Sequence, residues 1–369
     1  MSLFRLFLFP FCLLYGLITW IRNKMFDFGV LPSKHFDIPV VSLGNLSAGG
    51  TGKTPHVEYL LGLLKDRYNI AVLSRGYKRK TSGFLVVNPS HKANEVGDEP
   101  LQICRKFPDV IIAVDERRKN GINKIRQLFP QVNLIILDDA FQHRYVSPGL
   151  SILITGFYNP FFDDYLLPCG SLREFRSGAK RASALIVSKT PTIFPILARK
   201  YFIDKVEKYN FKNVFFSTIE YGAWVPINEG LNPQARYKTI LMLTGIANIS
   251  YLEDYLRGCC RELILRNFPD HYQFTETDLH GVAKDFRNMF GDSNAIVMTE
   301  KDYMRIKEQS LLQTLIGIPV FYIPIKVVFH KPDTIKFEEF LQEFLSGYQR
   351  SHTSKRIANN SILEVQNSG

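Results

Sequence analysis

Val40-Val-Ser-Leu-Gly-Asn-Leu-Ser-Ala-Gly-Gly-Thr-Gly-Lys-Thr-Pro-His56 decides the fold. An apolar strand breaks into a glycine-rich turn, passes through Gly52-Lys53-Thr54 and opens a helical run. That order of strand, loop and helix is what a phosphate loop requires. Backbone N–H groups wrap a polyphosphate while the positive end of the helix points at it. Lys53 can reach the β- and γ-phosphates, and the Thr54 hydroxyl can ligate Mg²⁺. Ser47, Ala48, Gly49, Gly50, Thr51, Gly52, Lys53 and Thr54 are therefore the expected nucleotide-binding residues. Ser47 stands where the usual pattern has glycine; Gly49 and Gly50 still give the loop access to positive φ.

Outward from this motif the chain alternates short apolar strands with helical runs. Strands are expected at 38–43, 70–73, 84–87, 110–114, 134–137, 150–154 and 184–187, and helices at 54–65 and 117–128. Near-continuous apolar strands suit a parallel sheet buried on both faces. The expected fold class is α/β: a phosphate-loop, doubly wound, mostly parallel sheet with a second, smaller α/β domain and an N-terminal apolar helix. The expected division is a membrane-associated helix over 1–24 and a phosphate-loop, nucleotide-binding domain over 25–212. An extended interdomain linker over 213–238 follows, then a C-terminal α/β domain over 239–350 and a frayed polar tail over 351–369. In the second domain, strands are expected at 239–243, 295–298 and 320–323, and a last helix at 337–348.

The 369 residues carry a net charge of +11, which suits an anionic partner. Lys and Arg are scattered rather than blocked, so a nucleic-acid stripe is not the reading, and no obligate protein partner is expected. Five cysteines show neither metal-ligand spacing nor a secreted disulfide framework. The stretch 6–21 has no charge, with Arg5 before it and Arg22 and Lys24 behind. As a helix it rises about 24 Å, short of a hydrocarbon core of about 30 Å. It lacks a small-residue cleavage site, so the expectation is a membrane-seated helix, spanning or partly inserted. Its basic flank would keep the next domain on the cytoplasmic side.

Two strands deliver paired acids to the sheet edge where ligands bind. Asp138-Asp139 ends the strand at 134–137, and Asp115-Glu116 follows the strand at 110–114. Acids so placed can hold the Mg²⁺ that bridges phosphates, which makes Thr54, Asp138, Asp139 and Glu116 the expected metal residues. One metal does not need four carboxylates, so Asp115 is free to accept a hydroxyl proton; a helix cap is the bland alternative. Gln142, His143 and Arg144 lie just beyond Asp139, and Arg173 and Glu174 follow a Pro-Cys-Gly-Ser loop. Guanidinium forks suit phosphate or carboxylate recognition. His271, beside Pro269, reads as a loop histidine from its residues alone.

Taken in order, the motifs resemble the tetraacyldisaccharide 4′-kinase (lipid A 4′-kinase) family. They are Gly-Asn-Leu-Ser-Ala-Gly-Gly-Thr-Gly-Lys-Thr-Pro (44–55), Ser-Arg-Gly-Tyr (74–77), Val-Gly-Asp-Glu-Pro (96–100) and Asp-Asp-Ala-Phe-Gln-His-Arg (138–144). Leu-Leu-Pro-Cys-Gly-Ser-Leu-Arg-Glu (166–174), Asp-His-Tyr-Gln-Phe (270–274) and Thr-Glu-Lys-Asp (299–302) complete the set. Ala140, Cys169, Ser171 and Tyr272 depart from the family's commoner residues without removing a charged group. The resemblance implies ATP- and Mg²⁺-dependent transfer of the γ-phosphate to the 4′-hydroxyl of a tetraacyl glucosamine disaccharide 1-phosphate, at the cytoplasmic face of the inner membrane. It implies Asp115 as base, His271 as its partner imidazole and Lys53 on the transferring phosphoryl group. By the same resemblance Gln142, His143, Arg144, Arg173 and Glu174 line the acceptor site. The rival readings are a membrane-docked ATPase with no lipid acceptor and a soluble small-molecule kinase whose first helix is core.

Overall fold

The structure is a computed structural model that describes residues 3–228, 231–232, 236–246, 248–270, 272–291, 293–308 and 310–366, with side chains from residue 8 to 348 apart from residue 308. The elements run α1 (Leu3–Asp27), β1 (Val40–Gly44), α2 (Lys53–Leu64), β2 (Ile70–Ser74), β3 (Leu85–Val86), α3 (Ala93–Val96), α4 (Asp98–Lys106) and β4 (Ile111–Val114). Then come α5 (Arg118–Leu128), β5 (Leu134–Leu137), β6 (Leu150–Gly156), β7 (Ala184–Ser188), α6 (Ile196–Val206), β8 (Asn213–Tyr221), β9 (Val225–Pro226), β10 (Thr239–Thr244) and α7 (Ser250–Arg257). The last are β11 (Glu262–Asn267), α8 (Glu276–Arg287), β12 (Asn294–Thr299), α9 (Glu300–Glu308), β13 (Val320–Ile323), β14 (Ile325–Phe329) and α10 (Lys331–Gln366).

The larger sheet has the order β14-β8-β7-β6-β1-β5-β2-β4-β3. It is parallel from β8 to β4, and the antiparallel strands β14 and β3 close its two edges. Alternation within each strand fills both faces. Val41, Leu43, Val72, Ile136 and Ile152 join α2, α4 and α10 in one core. Val40, Ala71, Leu73, Ile135 and Leu137 meet α5 on the other face. This is the doubly wound sheet expected from the apolar runs. The smaller sheet, β11-β10-β12-β13-β9, is parallel apart from β9.

The expected division at 213–238 differs from this topology. β8 is a full strand of the larger sheet, paired parallel with β7, and only the short β9 belongs to the smaller one. The chain also returns: β14 pairs antiparallel with β8, and Phe337, Leu341 and Leu345 of α10 pack into the main core. The smaller unit is thus an excursion between β8 and β14 rather than the chain's end. A single strand's pattern shows that it is buried but not which sheet buries it. The last helix also continues to Gln366 instead of ending at 351, and no glycine or proline lies between Ser351 and Gln366 to break it.

α1 lies on the larger unit. Cys12 is buried beside Leu166, and a side chain at Gly16 would come within 2.9 Å of Leu166. The other side carries Phe11, Leu13, Leu14, Leu17, Ile18 and Trp20, each about half exposed. Among the described residues no helix is long and apolar enough to cross a membrane, so the spanning option for α1 is not met.

Candidate active site

The phosphate loop sits between the C-terminal end of β1 and the N-terminus of α2, and its shape is fixed by its own residues. Gly49 and Gly52 take φ of 118° and 85°, values that a β-carbon disfavours. Asn45 Nδ2 donates to Thr51 Oγ1 at 2.8 Å across the loop. Beneath it, buried His56 donates from Nδ1 to the Gly52 carbonyl at 2.7 Å, and its Nε2 meets Ser217 Oγ at 2.9 Å. Burial pushes the His56 pKa down to about 4, so the ring is neutral. On its outer side the loop is paired as a strand: Ala48 N donates to Ser171 O at 2.7 Å and Arg173 N to Leu46 O at 2.8 Å. The loop carrying Arg173 is therefore held against the phosphate loop by backbone.

Lys53, Asp139 and Arg173 meet at the mouth. Lys53 Nζ lies 3.5 Å from Asp139 Oδ1, and Arg173 Nη1 reaches both Asp139 oxygens at 3.1 Å. Burial alone would raise the Asp139 pKa, but Lys53 and Arg173 outweigh it and hold the carboxyl below its ordinary range. Asp138 has the opposite surroundings. It is fully buried, accepts from Ser74 Oγ at 3.2 Å through Oδ2, and leaves Oδ1 without a protein partner. Burial, with Glu99 and Asp139 adding like charge, pushes its pKa up to about 7.

Asp115 stands two strands further out, beyond β2 at the end of β4, and is 1% exposed. Its Oδ1 accepts from Arg117 N and its Oδ2 from Asn120 Nδ2, both at 2.8 Å, so it also caps the turn into α5. Fully buried Arg118 ties the two acidic strand ends together, donating to Asp115 O at 2.7 Å and to Asp138 O at 3.1 Å. The sequence reading missed Arg118, although it closes the run Asp-Glu-Arg-Arg at 115–118.

Glu116 is turned elsewhere. Its carboxylate accepts from the Gly83 N–H at 2.9 Å and pairs with Arg79, and the Gly83 bond leads the effects that lower its pKa. Its side chain fastens the 79–83 loop instead of joining Asp138 and Asp139. No group of three or more His, Cys, Asp or Glu suited to a metal occurs among the described residues. A magnesium–nucleotide site does not require one, since Mg²⁺ keeps waters and uses one or two carboxylates with the phosphates. The unpartnered buried oxygen of Asp138, with the Thr54 hydroxyl at the start of α2, fits that requirement.

The residues expected to line the acceptor site fall between the phosphate loop and α1. Gln142 Nε2 donates to Asn45 O and to Glu174 Oε1. Glu174, buried, also accepts from Arg181 and from Asn23 of α1. Arg144 clamps α1 by its bonds to Asn23 O and Asp27, while Arg22 and Tyr15 of α1 reach Gln142 O and Arg173 O. Arg144 and Glu174 thus anchor α1 as well as border the site. Burial, with Arg118 and Arg75 nearby, lowers the His143 pKa to about 4. An apolar groove of about 360 Å³, lined by Trp20, Ile21, Lys24, Met25, Phe28 and Val30, opens beside this end of α1.

The smaller unit reaches the same edge through α9. Lys301 Nζ lies 3.1 Å from Glu99 and Arg305 Nη2 3.0 Å from Asp98, both acids being in the first turn of α4. Burial disfavours charge on Glu99, yet Lys301 and Lys53 outweigh it and keep its pKa low. Glu99 thereby stands electrostatically between the two units. His271 lies outside the described residues.

The geometry agrees with what the chain is similar to. The family model described as tetraacyldisaccharide-1-P 4′-kinase matches residues 4–346. A tetraacyldisaccharide 4′-kinase of Flavobacterium psychrophilum is 43% identical over 89% of this chain and 94% of its own length. One of Bacteroides thetaiotaomicron is 38% identical over 98% and 96%. The crystal structure of LpxK from Aquifex aeolicus in complex with ATP matches with a TM-score of 0.68 at 28% identity, covering 93% of this chain and all of that one. Spanning both sheets and α1, these matches establish that the chain belongs to the tetraacyldisaccharide-1-P 4′-kinase family.

Proposed function

We propose that this protein transfers the γ-phosphate of ATP to the 4′-hydroxyl of tetraacyldisaccharide 1-phosphate, with Asp115 taking the hydroxyl proton. The observation that carries the reading is buried Asp138, which keeps one carboxylate oxygen unpartnered within the field of Lys53. An acid in that state suits a divalent cation and phosphate far better than a structural role. Mg²⁺ held by Asp138 and Thr54 would supply counter-charge to the phosphates. Lys53, leaving Asp139, takes up charge on the phosphoryl group, and Arg173 keeps Asp139 compensated when it does. Arg118 fixes the backbone of Asp115 relative to that of Asp138, which sets the base against the phosphate site. His271 steadies Asp115 by family resemblance.

The acceptor reaches the site along α1. A tetraacyl lipid stays in the bilayer, since each buried CH₂ is worth about 0.8 kcal/mol. The exposed apolar side of α1 lies flat on the cytoplasmic surface of the inner membrane, and its opposite side is bolted to the Arg173 loop. An ATPase without a lipid acceptor is not favoured, because relatives named for the kinase align with nearly the whole chain.

Steady-state turnover in detergent tests the assignment. Lys53→Ala and Asp115→Asn should each lower kcat by about 10²- to 10⁴-fold. An Asp115→Asn enzyme with parental turnover would remove Asp115 as the base.

A further inference from the structure

The mechanism above leaves one charged group over the phosphate loop without a task. Lys189 follows β7 at the same sheet edge as the loop, and its stem lies along the loop's glycines. Carbon atoms placed at the β-positions of Gly50 and Gly52 would sit 4.0 Å from Lys189 Nζ and 3.9 Å from Cε. Both neighbours of Lys189 are pinned. Ser188 Oγ donates to Thr51 O at 2.7 Å, and Thr190 Oγ1 donates to Ser217 O at 2.9 Å. From the smaller unit, Tyr251 of α7 presents its ring 5.0 Å from the ammonium. No carboxylate pairs with Lys189 among the described residues, whereas Lys53, on the same loop, is held by Asp139. Burial and the like charge of Lys301 lower the Lys189 pKa to about 8, the mark of a cation without its counter-charge.

A part-buried ammonium aimed at a phosphate loop is completed by an anion entering that loop. We propose that Lys189 is a second phosphate-contacting cation of the nucleotide site, held over Gly50 and Gly52 by Tyr251. It therefore reads the same polyphosphate as Lys53 from the other side of the loop. Because Tyr251 belongs to the smaller unit, the contact also lets that unit sense whether the nucleotide is present. The inference rests on ATP occupying the phosphate loop.

The test measures binding of ATP, ADP and adenosine to the full chain, unmodified and as Lys189→Met, Lys189→Arg, Tyr251→Leu and Lys53→Ala. Lys189→Met should weaken ATP and ADP by about 10- to 100-fold and leave adenosine unchanged. Lys189→Arg should recover most of that loss, and Tyr251→Leu should show a smaller loss of the same kind. ATP affinity within twofold of the parent in Lys189→Met, beside a clear loss in Lys53→Ala, would overturn the role of Lys189 and leave the phosphate-loop reading intact. No loss in either variant would overturn both. An equal loss for adenosine would place Lys189 on the nucleoside and refute the phosphate contact. If Lys189→Met lowers the melting temperature, Tyr251→Leu and Lys189→Arg decide by the same comparison.

Discussion

At the residue scale, adjacent Asp138 and Asp139 do different work because their surroundings differ. Asp139 is compensated by two cations; Asp138 is buried with one oxygen unpartnered. Asp138→Asn removes a buried charge at constant volume. It should leave the metal-free protein at least as stable in thermal melts while lowering turnover by about 10²-fold or more. Parental turnover would take Asp138 out of the chemistry. His56 gives a pH signature. Its folded pKa, about 4, lies below the ordinary 6.5, so the unfolded chain binds the extra proton between those values. Its contribution is present above pH 6.5 and lost as pH falls toward 4, by about 3 kcal/mol over the window. Denaturant titrations at pH 7 and 5 should show a shallower loss in His56→Gln than in the parent; equal losses would place the proton elsewhere. Lys53, Thr54, Asp138 and Asp139 were legible because spacing after a strand places them. Arg118, Glu99 and Lys189 were not, since each takes its meaning from a partner across the sheet or in another unit. Glu116 misled for the converse reason: position at a strand end does not fix where a side chain turns.

At the element scale, α1 joins two requirements that its sequence shows only in part. The uncharged stretch announces an apolar helix, but the pinning residues Cys12, Tyr15, Gly16 and Asn23 are small or polar and carry no periodic signal. The exposed face and the anchored face can be separated by substitution. Leu13→Glu with Leu17→Glu should abolish flotation with anionic vesicles and raise the apparent KM for vesicle-embedded acceptor, leaving kcat in detergent within about threefold. Gly16→Leu, which collides with Leu166 and Phe175, should lower kcat in detergent as well, because it displaces the loop that carries Arg173. Equal effects of the two changes in detergent would contradict the division of faces.

At the scale of the whole molecule, two units share one sheet edge. The parallel core was legible from uninterrupted apolar strands, and the element order followed. The return of β14 and α10 to the larger unit was not, because pairing partners distant in sequence leave no local trace. That return closes the fold around the smaller unit, so α9 is held over α4 by Lys301–Glu99 and Arg305–Asp98. The phosphate loop, Asp138, Asp139 and the loop that carries Arg173 consequently lie together at that edge. The account stands on the position of the new bond. Phosphorus NMR of the lipid formed from ATP, Mg²⁺ and tetraacyl disaccharide 1-phosphate measures it directly. A second phosphomonoester coupled to the proton at the 4′ carbon, absent with Lys53→Ala, is the predicted spectrum. Inorganic phosphate with an unchanged lipid, or a phosphomonoester at any other carbon, would contradict the account.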